Sequence, residues 1–490
     1  MGSRARSRAE SFDARKYSLA LTRSANACSE RDIAMTGALL NFDEYLKRLD
    51  FSDRFLRRNP LYYGSIRRQV DSLLGCTLAE RKLWTESRLG PILAAARRTR
   101  YGQSVGDARQ LSDWPLLQKD RLRESPGAFH AGGWFNARAS TGGTTGTPLE
   151  LVRSPAAIVM EQVCLDRMIR ALDFDPRTAR IAVLRADSVK QASDAGPPFW
   201  TYALGGRRLI LSSAHLSDST LPSYLGELRK FRPDVLWVHP TMLEMLCRLL
   251  ARSGEVLRIP GVHASSEMLA PEVWTLAREV LGCAVVENYG LAERVAFATA
   301  TSPGEHFFFA GYAAIELLPH ASDGNESWYE IVGTTLWNTA MPLVRYATGD
   351  LIRTATGCGE RELEEIAYGI RPFSAIAGRS QDVLLSPNGR AVTPGVSHIA
   401  HGVANVLRLQ IVQQAADRIV LRVLAGPRFS NADADRLMHN AQKKAPPPAR
   451  IDIEIVDSLE RTAAGKTPLV IHSPAVQEAL RAAGVAVRKR

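Results

Sequence analysis

The stretch from residue 139 to residue 149, Ala-Ser-Thr-Gly-Gly-Thr-Thr-Gly-Thr-Pro-Leu, is rich in residues that can surround an anion. Glycines let a backbone turn tightly and present N–H groups to a ligand, and Ser and Thr hydroxyls add further donors. This combination suits the oxygens of an oligophosphate. It is not a Walker A loop, because no Gly-Lys-Ser/Thr sequence closes it. Taken alone, the stretch is equally consistent with a flexible turn.

Four later stretches also carry residue types suited to a nucleotide. Residues 287–293, Glu-Asn-Tyr-Gly-Leu-Ala-Glu, follow an apolar strand, where a tyrosine can stack on a base and a carboxylate can hold a divalent metal on phosphate oxygens. Residues 345–351, Arg-Tyr-Ala-Thr-Gly-Asp-Leu, place an aspartate after a tight turn, where it can accept both ribose hydroxyls. Residues 377–383 and 461–468 contribute an arginine at a domain junction and a lysine on a loop after a strand.

Each of these residues also has a purely structural interpretation. Singly, Tyr289 fits a core position, Asp350 a turn cap, Arg379 a surface charge and Lys466 a solvated loop. The Gly-Lys-Thr triplet around Lys466 resembles the end of a Walker A loop, but Glu460 stands where the first glycine is required.

The segments between these stretches alternate between helical and strand patterns. Periodicity predicts helices at 155–172, 219–231, 241–252 and 271–281, and strands at 180–184, 208–212, 234–238 and 284–288. This alternation predicts a layered α/β domain with largely parallel strands. Ligands in such domains bind in loops beyond the carboxyl ends of the strands.

The second half of the chain has a different pattern. Short alternating runs over residues 307–352 predict a meander or a small barrel. A compact ββαβ unit is predicted from strands at 406–412 and 418–424, a helix at 431–444 and a strand at 451–456.

The expected architecture is therefore α/β, with a large multi-layer N-terminal domain, a small barrel-like subdomain and a small mobile C-terminal α+β lobe. The predicted boundaries are a basic flexible tail at 1–35, the N-terminal core at 36–378 and the lobe at 379–490.

Composition excludes some classes of protein. The hydrophobic fraction of 45% and the charged fraction of 23% are those of a globular domain, and no apolar run is long enough to span a membrane. Six scattered cysteines without a CxxC pair indicate a reducing, cytoplasmic location. The net charge of +11 suits an anionic small molecule or an acidic carrier protein. Nucleic acid is the weaker alternative, because the basic residues are not interleaved with aromatics.

Taken together, the five stretches resemble the adenylate-forming superfamily of acyl-CoA ligases, nonribosomal adenylation domains and luciferases. Those enzymes carry, in this order, a Ser/Thr/Gly loop, Tyr-Gly-x-x-Glu, Thr-Gly-Asp, a Gly-Arg hinge and a C-terminal Gly-Lys. Within the superfamily, residues 114–122, Trp-Pro-Leu-Leu-Gln-Lys-Asp-Arg-Leu, are similar to a segment of the phenylacetate–CoA ligase branch and its capsular-polysaccharide relatives. The resemblance runs from about Leu111 to Pro468.

The resemblance implies an ATP- and Mg²⁺-dependent ligase that forms an acyl-adenylate and pyrophosphate. Tyr289, followed by Gly290, would stack on adenine, and Asp350 with Arg379 would fix the ribose. The implied phosphate-binding residues are Ser140, Thr141, Gly143, Thr144, Thr145 and Gly146. The implied catalytic and metal-binding residues are Glu293 and Thr144, with Lys466 acting at the α-phosphate and Gln381 as the hinge of the lobe.

The chain departs from the family pattern at several positions. The loop has Gly142 where a Ser is usual and Thr147 where a Lys is common, so one hydroxyl and one cation are missing near the phosphates. Gln381 replaces the usual Asp or Lys of the hinge. Only Cys358 remains of a cysteine-rich patch that the phenylacetate branch often carries, which argues against zinc.

The acyl group and its acceptor remain open at this point. The branch favours an aromatic carboxylic acid, transferred either to an amine or hydroxyl in a natural-product pathway or to the thiol of CoA. The predicted acyl-pocket residues are His239, Thr241, Ser265, Ser266 and Asn288. His239 is equally consistent with a satisfied core histidine. The sequence does not distinguish a monomer from a homodimer.

Overall fold

The computed structural model describes residues 52–482 apart from 134–135, 141–148, 187–188, 191–193, 195, 323–325, 380–383, 388, 390, 393–398, 401–402, 404, 427, 445–448 and 461–467. The predicted tail at 1–35 lies outside the described residues. No helix in the described part of the chain is both long and apolar enough to cross a membrane.

The described α-helices are α1 (Tyr63–Ser72), α2 (Leu78–Arg97), α3 (Arg100–Val105), α4 (Lys119–Glu124), α5 (Pro155–Ala171), α6 (Leu221–Phe231), α7 (Pro240–Ser253), α8 (Pro271–Leu281), α9 (Glu360–Ala367), α10 (Asn431–Lys444) and α11 (Pro474–Ala482). The strands are β1 (Ala137–Ser140), β2 (Glu150–Arg153), β3 (Ile181–Ala186), β4 (Trp200–Ala203), β5 (Arg208–Ser212), β6 (Val235–Val238), β7 (Gly261–Ser265), β8 (Ala284–Gly290), β9 (Phe297–Ala300), β10 (His306–Phe308), β11 (Ala313–Ser322), β12 (Glu326–Thr335), β13 (Tyr346–Ala355), β14 (Ala375–Arg379), β15 (Leu384–Leu385), β16 (Ala391–Val392), β17 (Val406–Ala415), β18 (Arg418–Ala425), β19 (Arg450–Ile455) and β20 (Val470–His472).

The largest sheet has eight strands in the order β10-β9-β8-β7-β6-β3-β5-β4. Its five central strands, from β5 to β8, run parallel, and antiparallel strands close both edges. The predicted α/β class with a largely parallel sheet is therefore confirmed. Strands β4, β7, β9 and β10 of this sheet were not among the predicted strands. Strand β7 has the sequence Gly-Val-His-Ala-Ser, which shows neither an apolar run nor a clean alternation, although all five residues are buried.

Helices cover both faces of this sheet. One face packs against α6, α7 and α8 in a core that includes Leu236, Val238 and Leu246. The other face carries α5, where Met168 and Ile169 contact the apolar side chains of the central strands. Burying one such side chain contributes roughly 1.5–3 kcal/mol. Helices α7 and α8 each begin with a proline and end before a glycine in the left-handed conformation, the local signals that set their lengths.

A second sheet follows the first along the chain. Strands β11, β12, β13 and β14 pair in sequence order and antiparallel, which is the meander predicted for this region. Strand β13 carries the Thr-Gly-Asp sequence, and Gly349 adopts φ 71°, a backbone conformation that glycine reaches without strain.

The C-terminal region contains the predicted ββαβ unit, formed by β17, β18, α10 and β19. Strand β20 adds to the sheet beside β17 and gives the order β19-β18-β17-β20. Its core includes Ile411, Leu421 and Leu437. The predicted domain boundaries at 36–378 and 379–490 remain predictions.

Candidate active site

Tyr289 and Asp350, which come from different sheets, are in direct contact. The Tyr289 hydroxyl donates a 2.7 Å hydrogen bond to Oδ2 of Asp350. Tyr289 lies at the carboxyl end of β8, and Asp350 is buried on β13. The Thr348 hydroxyl accepts the Asp350 backbone N–H at 3.0 Å, which orders the turn before the carboxylate. Two residues that the sequence assigned to one nucleotide are therefore neighbours.

Glu293 is buried, and its carboxylate accepts hydrogen bonds from two side chains. Its Oε1 atom accepts Nζ of Lys119 at 3.1 Å and the hydroxyl of Tyr346 at 2.9 Å. Burial works to raise the pKa of Glu293, but the charge of Lys119 and hydrogen bonds outweigh it, so that the pKa lies below its usual value. Burial and the neighbouring Glu293 charge raise the pKa of Tyr346 well above its usual value, which keeps Tyr346 a donor.

Lys119, the partner of Glu293, was not among the site residues predicted from the sequence. It begins α4, and the chain just before it is paired with the start of β13. The Leu117 N–H donates to the Arg345 carbonyl at 2.9 Å, and the Ala347 N–H donates to the Leu117 carbonyl at 3.0 Å. The available signal was its place in residues 114–122, which resemble the phenylacetate branch without indicating a role for the lysine.

The strand that follows the Gly/Thr loop in sequence contacts this site. Strands β1 and β2 flank the loop and pair antiparallel, with Ser140 opposite Glu150. Arg153 at the end of β2 donates a 2.9 Å hydrogen bond to the carbonyl of Ala292, the residue before Glu293. The hairpin that carries the predicted phosphate loop is therefore tied to the turn that carries the predicted metal carboxylate.

Backbone register also relates the predicted ribose residues to each other. Arg379 is the antiparallel partner of Asp350 where β14 pairs with β13.

Gly290 packs closely against the Phe297 ring, because a Cβ atom at position 290 would lie 3.2 Å from Cδ2 of Phe297. The remaining predicted residues Thr141, Gly143, Thr144, Thr145, Gly146, Gln381 and Lys466 lie outside the described residues.

The predicted acyl-pocket residues cluster at the carboxyl ends of β6, β7 and β8. Two of them, Ser265 and Asn288, are buried. Ser265 Oγ accepts Nε1 of Trp237 at 2.9 Å, and Asn288 Oδ1 lies 2.6 Å from Nε2 of His263. Burial lowers the pKa of His263 to about 4, so it is neutral and its Nε2–H donates to Asn288.

The other three predicted pocket residues are accessible. Ser266 is exposed and follows β7 with φ 74°, an uncommon conformation for a residue other than glycine. Thr241 is half-buried, and its hydroxyl donates to Glu267 Oε2 at 2.7 Å. His239 is half-buried at the N-cap of α7. Of the predicted acyl-pocket residues, two are therefore buried and three are accessible.

Comparison with known proteins identifies two family models in the chain. A model described as "AMP-binding enzyme" matches residues 140–360, and one described as "CapK C-terminal domain" matches residues 384–473.

Relatives with assigned names match at moderate identity. Protein CapK from Staphylococcus aureus is 24% identical over 56% of this chain and 61% of its own length. The phenylacetate-coenzyme A ligase from Escherichia coli strain K12 is 29% identical over 37% of this chain and 42% of its own length. The matched part of this chain therefore spans less than two thirds of either relative.

A solved structure shares the fold. A crystal structure of 2-hydroxyisobutyryl-CoA ligase in the postadenylation state, in complex with R3-HIB-AMP, matches with a TM-score of 0.53 and 15% identity, covering 81% of this chain and 91% of that chain. The ordered motifs, the family models and these relatives agree. Residues 140–360 therefore match the AMP-binding enzymes of the adenylate-forming (ANL) superfamily and residues 384–473 match the CapK C-terminal domain, and the chain is similar to the branch that contains CapK and the phenylacetate–coenzyme A ligases.

Proposed function

We propose that this protein is an ATP-dependent ligase that activates a carboxylic acid as its acyl-adenylate. The observation that carries the proposal is the convergence of Tyr289 and Asp350 beside the Glu293–Lys119 pair. An aspartate held by a tyrosine suits the ribose hydroxyls of a nucleoside. A lysine beside a buried carboxylate suits the phosphates, because its ammonium group can contact a phosphate oxygen.

In the proposed reaction, an oxygen of the substrate carboxylate attacks the α-phosphorus of ATP. A new phosphorus–oxygen bond forms as the bond to the β-phosphate oxygen breaks, and pyrophosphate leaves. The protein contributes positioning and charge stabilisation and forms no covalent intermediate of its own in this step. Asp350 and Arg379 hold the ribose, Tyr289 packs on adenine, and Thr144 with its neighbours holds the β- and γ-phosphates.

Lys119 supplies a cation that the Gly/Thr loop lacks. Thr147 stands where a lysine is common in the family, whereas Nζ of Lys119 lies 3.1 Å from Oε1 of Glu293, the predicted metal carboxylate. An ammonium group on a one-third exposed side chain can turn from this carboxylate to a phosphate oxygen when the nucleotide binds.

Magnesium fits this arrangement with a single protein carboxylate. No group of three or more His, Cys, Asp or Glu side chains within the described residues is placed to hold a metal. Mg²⁺ commonly binds through one or two carboxylates, substrate phosphates and water, so Glu293 with Thr144 is a sufficient donor set. When bound, the ion would neutralise charge on the phosphate oxygens.

The C-terminal lobe delivers Lys466 to the reacting oxygens and then rotates about Gln381 to admit the acceptor. This proposal rests on the family's Gly-Lys and Gly-Arg motifs in the sequence, since both residues lie outside the described part of the chain.

For the second half-reaction we propose transfer of an aromatic acyl group to an amine or hydroxyl in a natural-product pathway. The departures of the Gly/Thr loop and of the hinge from the phenylacetate pattern support this choice. Transfer to CoA is the second candidate, and the names of the phenylacetate-coenzyme A ligases among the relatives favour it. An acidic carrier protein is a further acceptor that would suit the basic surface.

Acid-dependent exchange between ATP and pyrophosphate tests the adenylation step. With a broad panel of aromatic and aliphatic acids, we expect at least one acid to drive exchange, and Lys466→Ala to lower exchange about a hundredfold while ATP still binds. Lys230→Ala, a change at an exposed helical lysine, is the matched control. Absence of exchange with every acid would refute the proposal. Offering a thiol, an amine and an alcohol to the active acid, with mass spectrometry of the products, identifies the acceptor.

A further inference from the structure

Arg185 lies in the same wall as the predicted acyl pocket and was not among the predicted residues. It stands near the end of β3, and its guanidinium carbon lies 4.4 Å from the centre of the Trp237 ring. One guanidinium nitrogen, Nη2, donates a 2.7 Å hydrogen bond to the hydroxyl of Ser266. The side chain therefore extends from β3 past β6 to the loop after β7.

Backbone register places Arg185 level with the other pocket residues. Leu184 pairs with Val238, and Val238 with Ala264, so the next position on each strand lies at one level of the sheet. Ser265 pairs directly with Asn288, which precedes Tyr289. Neighbouring strands lie about 4.8 Å apart, and Ser266 follows the strand next to β8. The guanidinium thus lies within a small substrate's length of the nucleotide residues.

The positive charge of Arg185 has no carboxylate partner among the described residues. The two carboxylates that influence its charge are Glu161 and Glu267. Glu161 instead forms an ion pair with Arg294 and accepts the Tyr312 hydroxyl at 2.7 Å. Glu267 accepts the hydroxyl of Thr241. Burial lowers the pKa of Arg185 to about 10, which leaves the group charged at neutral pH.

The groups that hold Arg185 are themselves fixed in place. Trp237 donates to Ser265 and stacks on His263 at 5.4 Å with an interplanar angle of 4°. Ser266 keeps its hydroxyl toward Arg185 from a left-handed backbone conformation, which is strained for a residue other than glycine. Such local strain occurs preferentially at ligand sites. A guanidinium has five donors, and Ser266 takes one of them.

We propose that Arg185 binds a second carboxylate on the acyl substrate, so that the preferred acid is a dicarboxylic acid with one carboxylate at the nucleotide and the other at Arg185. This inference rests on the proposed adenylation function. The Ser266 hydroxyl and the Trp237 face orient the guanidinium, and its remaining N–H groups donate to the two oxygens of the carboxylate in a bidentate manner.

Matched pairs of acids test this assignment by pyrophosphate exchange. The pairs are 1,4-phenylenediacetate with phenylacetate, and adipate with hexanoate. For the wild-type protein we expect kcat/KM to favour the diacid at least tenfold in one pair or both. Arg185→Met should lower kcat/KM for the diacid by about 30- to 100-fold and change that for the monoacid by less than about threefold, because only the diacid loses a charged partner. Arg185→Lys should restore part of the preference.

Arg88→Met is the matched control, because Arg88 also lies over an indole, 4.2 Å from the Trp337 ring, and donates to the backbone carbonyl of Leu336. This variant should keep the preference for the diacid. If Arg185→Met lowers exchange with both acids of each pair equally, Arg185 only supports the fold and the proposal is wrong.

Calorimetric titration with adipate separates this proposal from the proposed function. Exchange with monoacids but no preference for either diacid overturns the assignment of Arg185 and leaves adenylation in place. Adipate binding that is lost in Arg185→Met, without exchange for any acid, supports the anion site and refutes adenylation. Neither exchange nor binding refutes both.

Discussion

Nζ of Lys119 and Oε1 of Glu293 are 3.1 Å apart, although the two residues are 174 positions apart in the chain. Their side chains differ in exposure, because 34% of Lys119 but only 3% of Glu293 is accessible. The lysine therefore reaches a buried carboxylate from the solvent side. This geometry allows the ammonium group either to neutralise Glu293 or to contact a phosphate.

The first prediction concerns Lys119→Met. Removing one partner of a mostly buried ion pair leaves Glu293 with Tyr346 as its side-chain donor, and we expect the free energy of unfolding to fall by about 2–4 kcal/mol. Acid-dependent exchange should fall about a hundredfold, because a cation near the developing phosphate charge is lost. Urea unfolding and exchange kinetics measure the two effects.

Lys82→Met is the control for Lys119→Met. Lys82 forms an ion pair with Glu364, and both side chains are about one-third exposed or more. Exposed pairs contribute about 0–1 kcal/mol, so this variant should stay close to wild type in stability and exchange. Equal effects of the two substitutions would remove Lys119 from the site.

The second prediction concerns the magnesium requirement. If Glu293 is the protein ligand of the ion, Glu293→Gln should raise the Mg²⁺ concentration for half-maximal exchange by at least about tenfold, because a neutral amide binds a hard cation less strongly. Glu364→Gln, on the surface, should leave this concentration unchanged. An unchanged Mg²⁺ dependence in Glu293→Gln would assign the metal to other groups.

The third prediction concerns Tyr289→Phe. The substitution removes the 2.7 Å hydrogen bond to Asp350 and preserves the ring. Hydrogen bonds to charged groups contribute about 1.5–3 kcal/mol, so we expect KM for ATP to rise about tenfold and kcat to change by less than about threefold. A rise in the KM of the acid without one for ATP would place Tyr289 in the acyl pocket.

Tyr202→Phe provides the control for this substitution. Tyr202 lies on β4, the edge strand of the large sheet, and its hydroxyl donates to Glu227. The Tyr202→Phe variant therefore also loses a tyrosine–carboxylate hydrogen bond. We expect no change in KM for ATP.

The fourth prediction concerns pH and His263. Its pKa is about 4 in the folded protein because of burial, compared with about 6.5 in an unfolded chain. Between these values the unfolded state binds more protons, so stability falls as the pH is lowered from about 6.5 to about 4. The difference between the two pKa values corresponds to about 3 kcal/mol in the free energy of unfolding.

His263→Gln should lack this part of the pH dependence while keeping a donor for Asn288. The measurement is the free energy of unfolding of wild type and variant, taken from urea titrations at pH 7, 6, 5 and 4. Stability curves that stay parallel over this range would show that the pKa of His263 is not lowered in the folded protein.

Local sequence patterns determined most of the fold. The helices and strands of the parallel sheet lie within a few residues of their predicted limits, because apolar spacing and terminal proline and glycine residues act over short distances. Strand β7 was missed, since His263 and Ser265 interrupt its apolar pattern and their polar atoms are satisfied only by Asn288 and Trp237 on neighbouring strands.

By itself, the sequence indicated the family resemblance, the order of the motifs and the residue types of the proposed nucleotide site, including Tyr289, Glu293 and Asp350. Only the tertiary structure decided which side chains contact one another through a carboxylate, a hydroxyl or an aromatic ring. The pairing of Lys119 with Glu293 and of Arg185 with Ser266 joins residues 174 and 81 positions apart. No local pattern encodes such contacts, because they arise when strands adopt their register and loops close over the sheet.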